Sequence, residues 1–348
     1  MAYRGIEGIP QWYEYLDAVD LFTRVIQNLE KAIFNLCSPL EEIVLKSVGD
    51  RLAYVDNRRD ASDKYGFDFW GELKKRKDFE KILSSSRISK KLLYSKSENF
   101  PDFLFKVRRI DNKFTCGSLL ELKDSKGGSI ASFNSTLPTR FKSLEEIDIV
   151  NGGDLVSRIA RVVDGIPPKE EYYREYYTFE RRCFYLVRTY RCNPDKVKVS
   201  IVDGSFFETI PKDNLIYQVF LQILHNHIKK KELKIPPETL KQVEEALSHI
   251  TDQTIIAASR IVEGASVKPR LRIMAEVHSE GNPHSSYYPE IKEKSFNLIL
   301  QLNSQTLELE KELLKKIPKL QTFIIHHKRN GDHIVFHFRL DSQTALSF

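Results

Sequence analysis

Residues 99–128 read NFPDFLFKVRRIDNKFTCGSLLELKDSKGG. Two apolar runs, FLFKV and GSLLELK, flank a polar RRIDNK, the pattern of two strands joined by a turn. If Asp111-Asn112 is a two-residue turn, Ile110 faces Lys113 and opposed residues sum to 223. Asp102 then falls opposite Glu121, and directly opposed residues of antiparallel strands share a face. Lys123 lies two positions beyond Glu121 and shares that face. A longer turn would shift the pairing. In this simplest register the far end of the hairpin gathers two carboxylates and an ammonium.

Carboxylates held close together repel unless a cation joins them. Mg²⁺ accepts carboxylates together with water, and an ion so placed can polarise a phosphoryl oxygen and acidify a water. A neighbouring lysine can orient that water or meet developing charge. Such parts suit phosphodiester hydrolysis. Glu-x-Lys alone carries little weight, since it recurs at Glu72–Lys74, Glu232–Lys234 and Glu290–Lys292. Only Glu121–Lys123 ends an apolar strand whose expected partner begins with Pro-Asp; Asp124-x-Lys126 is a rival just past that strand. The competing reading is that Asp102 caps a turn while Glu121 pairs with Lys123 on a wet sheet edge.

The flanking sequence supplies the setting. Residues 16–34 carry apolar positions at helical spacing, and Ser38 with Glu41 has the capping-box pattern. GDLVSRIARVV reads as helix, CFYLVRTYR and KVKVSIVDG as strands, and NLIYQVFLQILHNHI as an apolar helix packed across a sheet. Near the end, TFIIHHKRNGDHIVFHFRL reads as a hairpin turning at Asn330-Gly331. The expected fold is α/β (α+β), with a mixed central sheet flanked by helices. Three regions are expected: a helical 1–98, a core at 99–231 and an α+β 232–348.

The chain has 348 residues and a formal net charge of +6, which permits a polyanionic partner without requiring one. The four cysteines form no CxxC pair, so Cys116 and Cys183 are expected as small core residues and the compartment as reducing and cytoplasmic. No secretory leader or membrane-spanning run is expected. Six histidines lie in the last 71 residues without a tight ligand motif, and His326 and His337 are expected on strand surfaces.

Pro101-Asp102 followed by Glu121-Leu122-Lys123 resembles the PD-(D/E)xK nuclease superfamily, and within it a type II restriction endonuclease. The resemblance covers roughly residues 85–230, because the helix at 153–163, the strands at 183–204 and the helix at 214–228 fit such a core. It implies that Asp102 and Glu121 bind Mg²⁺ with the Leu122 carbonyl, that Lys123 serves the attacking water, and that an N-terminal helix adds an acid. Glu41 and Glu42 are the candidates, with Glu42 preferred. It also implies double-stranded DNA as substrate, a homodimer on a palindromic site, 5′-phosphate ends and a prokaryotic restriction-modification context. A structure-specific repair nuclease with the same core and a non-catalytic DNA-binding protein are the alternatives. Candidate DNA contacts are Asn134, Ser135, Thr136, Arg140 and Lys142 after the active strand, Arg188 and Arg191 near a strand end, and Lys328, Arg329 and Asn330 at the basic hairpin tip.

Overall fold

A computed structural model describes residues 13–55, 100–110, 113–124, 131–134, 139–151, 153–167, 170–189, 195–208, 212–264, 272–275, 291–327 and 329–340. The fold is mixed α/β, with a central mixed sheet flanked by helices. Helices α1 (Leu16–Glu30) and α2 (Leu40–Val48) come first, then strands β1 (Leu52–Val55), β2 (Phe103–Phe105), β3 (Val107–Ile110), β4 (Lys113–Cys116) and β5 (Leu119–Asp124). After β6 (Ala131–Asn134) and β7 (Phe141–Lys142), the helices α3 (Leu144–Asn151), α4 (Leu155–Asp164) and α5 (Glu170–Thr178) carry the chain to β8 (Arg181–Thr189). Next come β9 (Lys198–Asp203), the short α6 (Gly204–Phe207), α7 (Lys212–Lys230), α8 (Pro237–Ser248), α9 (Asp252–Glu263) and β10 (Arg272–Ala275). β11 (Ser295–Gln301), α10 (Ser304–Lys316), β12 (Gln321–His327) and β13 (Gly331–Arg339) complete the order.

The large sheet runs β1-β2-β5-β8-β9-β11-β13-β12, with β7 alongside β8. β5 pairs parallel with β8 and β9 parallel with β11; the other ladders are antiparallel. One face carries the main apolar core. There Phe103, Leu120, Leu122, Phe184 and Leu186 of the sheet pack with Phe22 and Val25 of α1, Ile43 and Val44 of α2, and Leu309 and Leu313 of α10. The amphipathic spacing of these helices drives that burial. The buried Leu144, Ile147, Val156, Ile159 and Ala160 of α3 and α4 lie outside this core, and α4 runs against β1. Among the described residues, no helix is long and apolar enough to cross a membrane.

Two compact units emerge: Met1–Ser132 with Thr139–Phe207 and Met274–Phe348, and a second of Phe133–Pro138 with Glu208–Ile273. Boundaries at 98/99 and 231/232 therefore do not coincide with them. The reason is pairing. β11, β12 and β13 extend the same sheet as β5 and β8, so the C-terminal strands join the core. Within the second unit α7 packs with α8 and α9. Val219, Phe220 and Ile223 of α7 are exposed, although its apolar content suggested a helix packed across a sheet.

Smaller expectations shift as well. α2 begins after Pro39 with no side-chain cap, and the Ser38 hydroxyl instead accepts the Asn35 N–H. In the last hairpin His327 faces Gly331, which sits at φ 79, so three residues separate the paired positions in place of the expected two-residue turn, and the glycine begins β13. Cys116 and Cys183 are buried, as the sequence suggested, whereas His337 is buried and bonded to Asn297 Oδ1 at 2.6 Å. The second half of the expected helical region, residues 56–98, lies outside the described residues, as does Cys192.

Candidate active site

The register of the first hairpin fixes the site. Ile110 faces Lys113, Val107 faces Cys116 and Phe103 faces Leu120, so opposed residues sum to 223 throughout, as the two-residue turn requires. The hairpin bends where Cys116 and Gly117 both take positive φ, and the Phe105 N–H to Ser118 carbonyl bond carries the register across that bend. The Asp17 carboxylate of α1 accepts the Ser118 N–H at 2.9 Å and pins the start of β5. Burial raises the Asp17 carboxyl above its ordinary range.

Asp102 thus meets Glu121. The Asp102 N–H donates to Glu121 Oε2 at 3.2 Å, and Asp102 Oδ2 accepts the Leu122 N–H at 2.6 Å. Lys123 Nζ lies 2.5 Å from Glu121 Oε1. The pairing of Glu121 with Lys123 matches one half of the competing reading, yet the setting is no wet edge: Asp102 is 1% exposed and Glu121 9%. Asp102, Glu121 and Lys123 alternate with Phe103, Leu120 and Leu122, which point into the α1–α2 core, so the three share the opposite face of the sheet.

Proline has a definite part in this geometry. The β2–β5 ladder ends at Phe103 with Leu120, and beyond it the Leu122 N–H goes to the Asp102 side chain in place of a main-chain partner. Pro101 has no N–H to give to the Leu122 carbonyl. In an extended strand a residue's N–H and C=O lie on the same edge, so the Leu122 carbonyl belongs to the edge whose N–H binds Asp102. Two carboxylates and this carbonyl form an oxygen-only donor set, and the trio of side chains carries a formal charge of −1. The set suits a hard divalent cation such as Mg²⁺. Among the described residues, no three or more His, Cys, Asp and Glu side chains are gathered as a metal cage.

Two neighbours of the site go beyond the sequence reading. Asn151, ending α3, accepts the Phe100 N–H at 3.1 Å and donates to the Phe100 carbonyl at 2.8 Å, holding the main chain just ahead of Pro101-Asp102. Tyr185 stands beside Glu121 in the β5–β8 ladder, buried, with its phenol pushed well above its ordinary pKa by burial and further by the charges of Cys183 and Glu121. Alternation along CFYLV could have placed Tyr185 on the site's face; nothing local signals the Asn151 clamp.

Other candidates fall elsewhere. Glu42 is not brought to the trio: α2 covers the opposite face of the sheet, and Glu42 pairs along its own helix with Lys46 at 2.6 Å. Arg188 is fully buried and cannot meet a polyanion; it binds Asp124 at 2.8 Å and the carbonyls of Leu36 and Ser38. Arg140 and Lys142 are half-buried; the Arg140 carbonyl accepts the Cys183 N–H, and Lys142 pairs with Arg181 in the β7–β8 ladder. Asn330 spends its amide on the Phe206 carbonyl at 2.8 Å, so it anchors the hairpin tip, while Arg329 is exposed there. Asn134 ends β6, and Ser135, Thr136, Arg191 and Lys328 lie outside the described residues. Comparison with family models, curated proteins and solved structures found no match to this chain.

Proposed function

We propose that the protein is a Mg²⁺-dependent endonuclease of the restriction type, hydrolysing double-stranded DNA at a short palindromic sequence as a homodimer. The observation that carries this reading is the meeting of Asp102, Glu121 and Lys123 on one face of paired strands. It is supported by the order of elements: the lysine-bearing β5 is followed by a helical crossover and then by β8 and β9, as a PD-(D/E)xK core implies. The DNA substrate and the restriction context rest on the resemblance and on the net charge of +6.

In this reading Asp102, Glu121 and the Leu122 carbonyl would hold Mg²⁺, which would supply charge against the phosphate and a more acidic water. Lys123 orients the attacking water and meets charge growing on the phosphate oxygens. Water attacks phosphorus in line, the bond to the 3′ oxygen breaks, and that oxygen takes a proton, leaving 5′-phosphate and 3′-hydroxyl ends. Asn151 and the ladder keep Asp102 in place during the step.

One observation favours a second reading. Glu121 accepts the Asp102 N–H and Asp102 accepts the Leu122 N–H, so the two carboxylates also serve as pins of strand register. A non-catalytic DNA-binding protein could use them in that way alone. Supercoiled plasmid with Mg²⁺ separates the two. Asp102→Asn and Lys123→Ala are expected to retain the circular-dichroism spectrum and lose cleavage by about 10²-fold or more. Full cleavage by both variants would sink the nuclease reading, and salt-sensitive DNA binding without cleavage by the unaltered chain would favour the second.

A further inference from the structure

β12 is the last strand of the large sheet, and among the described residues no strand pairs with its outer side. Edge strands invite pairing unless proline, a bulge or charge blunts them. Over QTFIIHH there is no proline, and its ladder to β13 runs unbroken for seven residues. Ile324 is 56% exposed. A strand with these traits stays monomeric only at risk, so what covers it is a real question.

α10 gives the answer. Its buried face is Thr306, Leu309 and Leu313. A second row, Leu307, Glu310, Lys311 and Leu314, follows helical i, i+3, i+4 and i+7 spacing and so shares one side. Leu307 and Leu314 are 43% and 44% exposed. Glu310, at the border of the two faces, accepts the Thr322 hydroxyl of β12 at 2.5 Å. The row therefore looks along the sheet toward its open edge, on the same side as Ile324.

The order Leu-x-x-Glu-Lys-x-x-Leu is self-complementary when reversed. Laid antiparallel on a copy of itself, Leu307 meets Leu314, and Glu310 meets Lys311, twice over. A two-fold axis perpendicular to the sheet, near Thr322, brings Gln321–Phe323 of β12 antiparallel to the same residues of its copy and in the same operation makes the two α10 helices antiparallel. Such an isologous contact closes on itself. We infer that a second copy of this chain docks on the β12–α10 edge and joins the two sheets into one continuous sheet. The inference does not rest on the nuclease reading, and mass, not cleavage, tests it.

Light scattering of the full chain over a dilution series is expected to show twice 40.5 kDa, falling to one chain only at low concentration. Ile324→Lys and Leu314→Lys should each give a single-chain mass with unchanged circular dichroism. Glu310→Lys and Lys311→Glu each turn two attractions into repulsions and should weaken the dimer by about ten-fold. Their equimolar mixture restores both Glu–Lys contacts and should recover the wild-type dimer constant. A single-chain mass across the series overturns the inference. So does a dimer indifferent to these folded variants, or a mixture that fails to recover.

Discussion

A guanidinium with no exposed surface is costly wherever its donors go unmet. Arg188 avoids this by bridging Asp124, at the end of β5, to the carbonyls of Leu36 and Ser38 ahead of α2. Removing one member of such a buried set leaves the others desolvated and unpaired. Arg188→Met is expected to lower stability by about 3–5 kcal/mol in urea unfolding, with no change in the salt dependence of any DNA binding. From the sequence the same arginine sat near a strand end among other basic residues and looked like a phosphate contact. Burial is a property of the neighbours, and those neighbours lie about 150 positions away. Asp102, Glu121 and Lys123 were legible because their meeting depends on one local turn; Asn151 was not, because its partner lies 51 residues off.

At the scale of elements, the β2–β5 hairpin follows from alternation and a two-residue turn, and little else is needed. What the pattern omits is the bend between β4 and β5. Gly117 takes φ +72, and a Cβ there would lie 2.5 Å from Arg181 Nη1 and 2.7 Å from Val107 Cγ1. Gly117→Ala should cost about 1–3 kcal/mol, read as a lower urea midpoint. In a nuclease it should also depress cleavage, since the bend sets where Glu121 arrives. Glu42 failed as a ligand for an elemental reason too. A first-turn acid on an early helix fits a site in sequence terms, yet the apolar stripe of α2 commits it to the face where Leu120 and Leu122 point.

For the whole molecule, acid response is set by groups that burial forces neutral. His337 is lowered to about 4, first by burial and then by Arg339 and Lys292. Its contribution to stability is complete above the ordinary 6.5 and is lost as pH falls through about 4. Asp164 is raised to about 6 by burial, against the opposing Arg181, so its contribution is present at low pH and lost as pH rises through about 6. Urea midpoints followed down from pH 6.5 to about 4 should fall less for His337→Gln than for the unaltered chain, and more for Asp164→Asn. Equal slopes in all three proteins would contradict this assignment. The mixed α/β class was legible because strand and helix periods differ along the chain. The membership of β11, β12 and β13 in the same sheet was not, because pairing partners across the second unit leave no periodic trace.

The parallel ladder between β9 and β11 has a consequence for synthesis. Lys198 pairs with Ser295, a separation of 97 residues. Loop closure over such a span is slow beside the formation of a local hairpin. A chain emerging from the ribosome can therefore assemble the strands that carry Asp102 and Glu121 early. It then holds β9, buried along its whole length in the finished fold, with one side waiting until the second unit has been made. During that interval the half-built sheet is the state most exposed to misassembly.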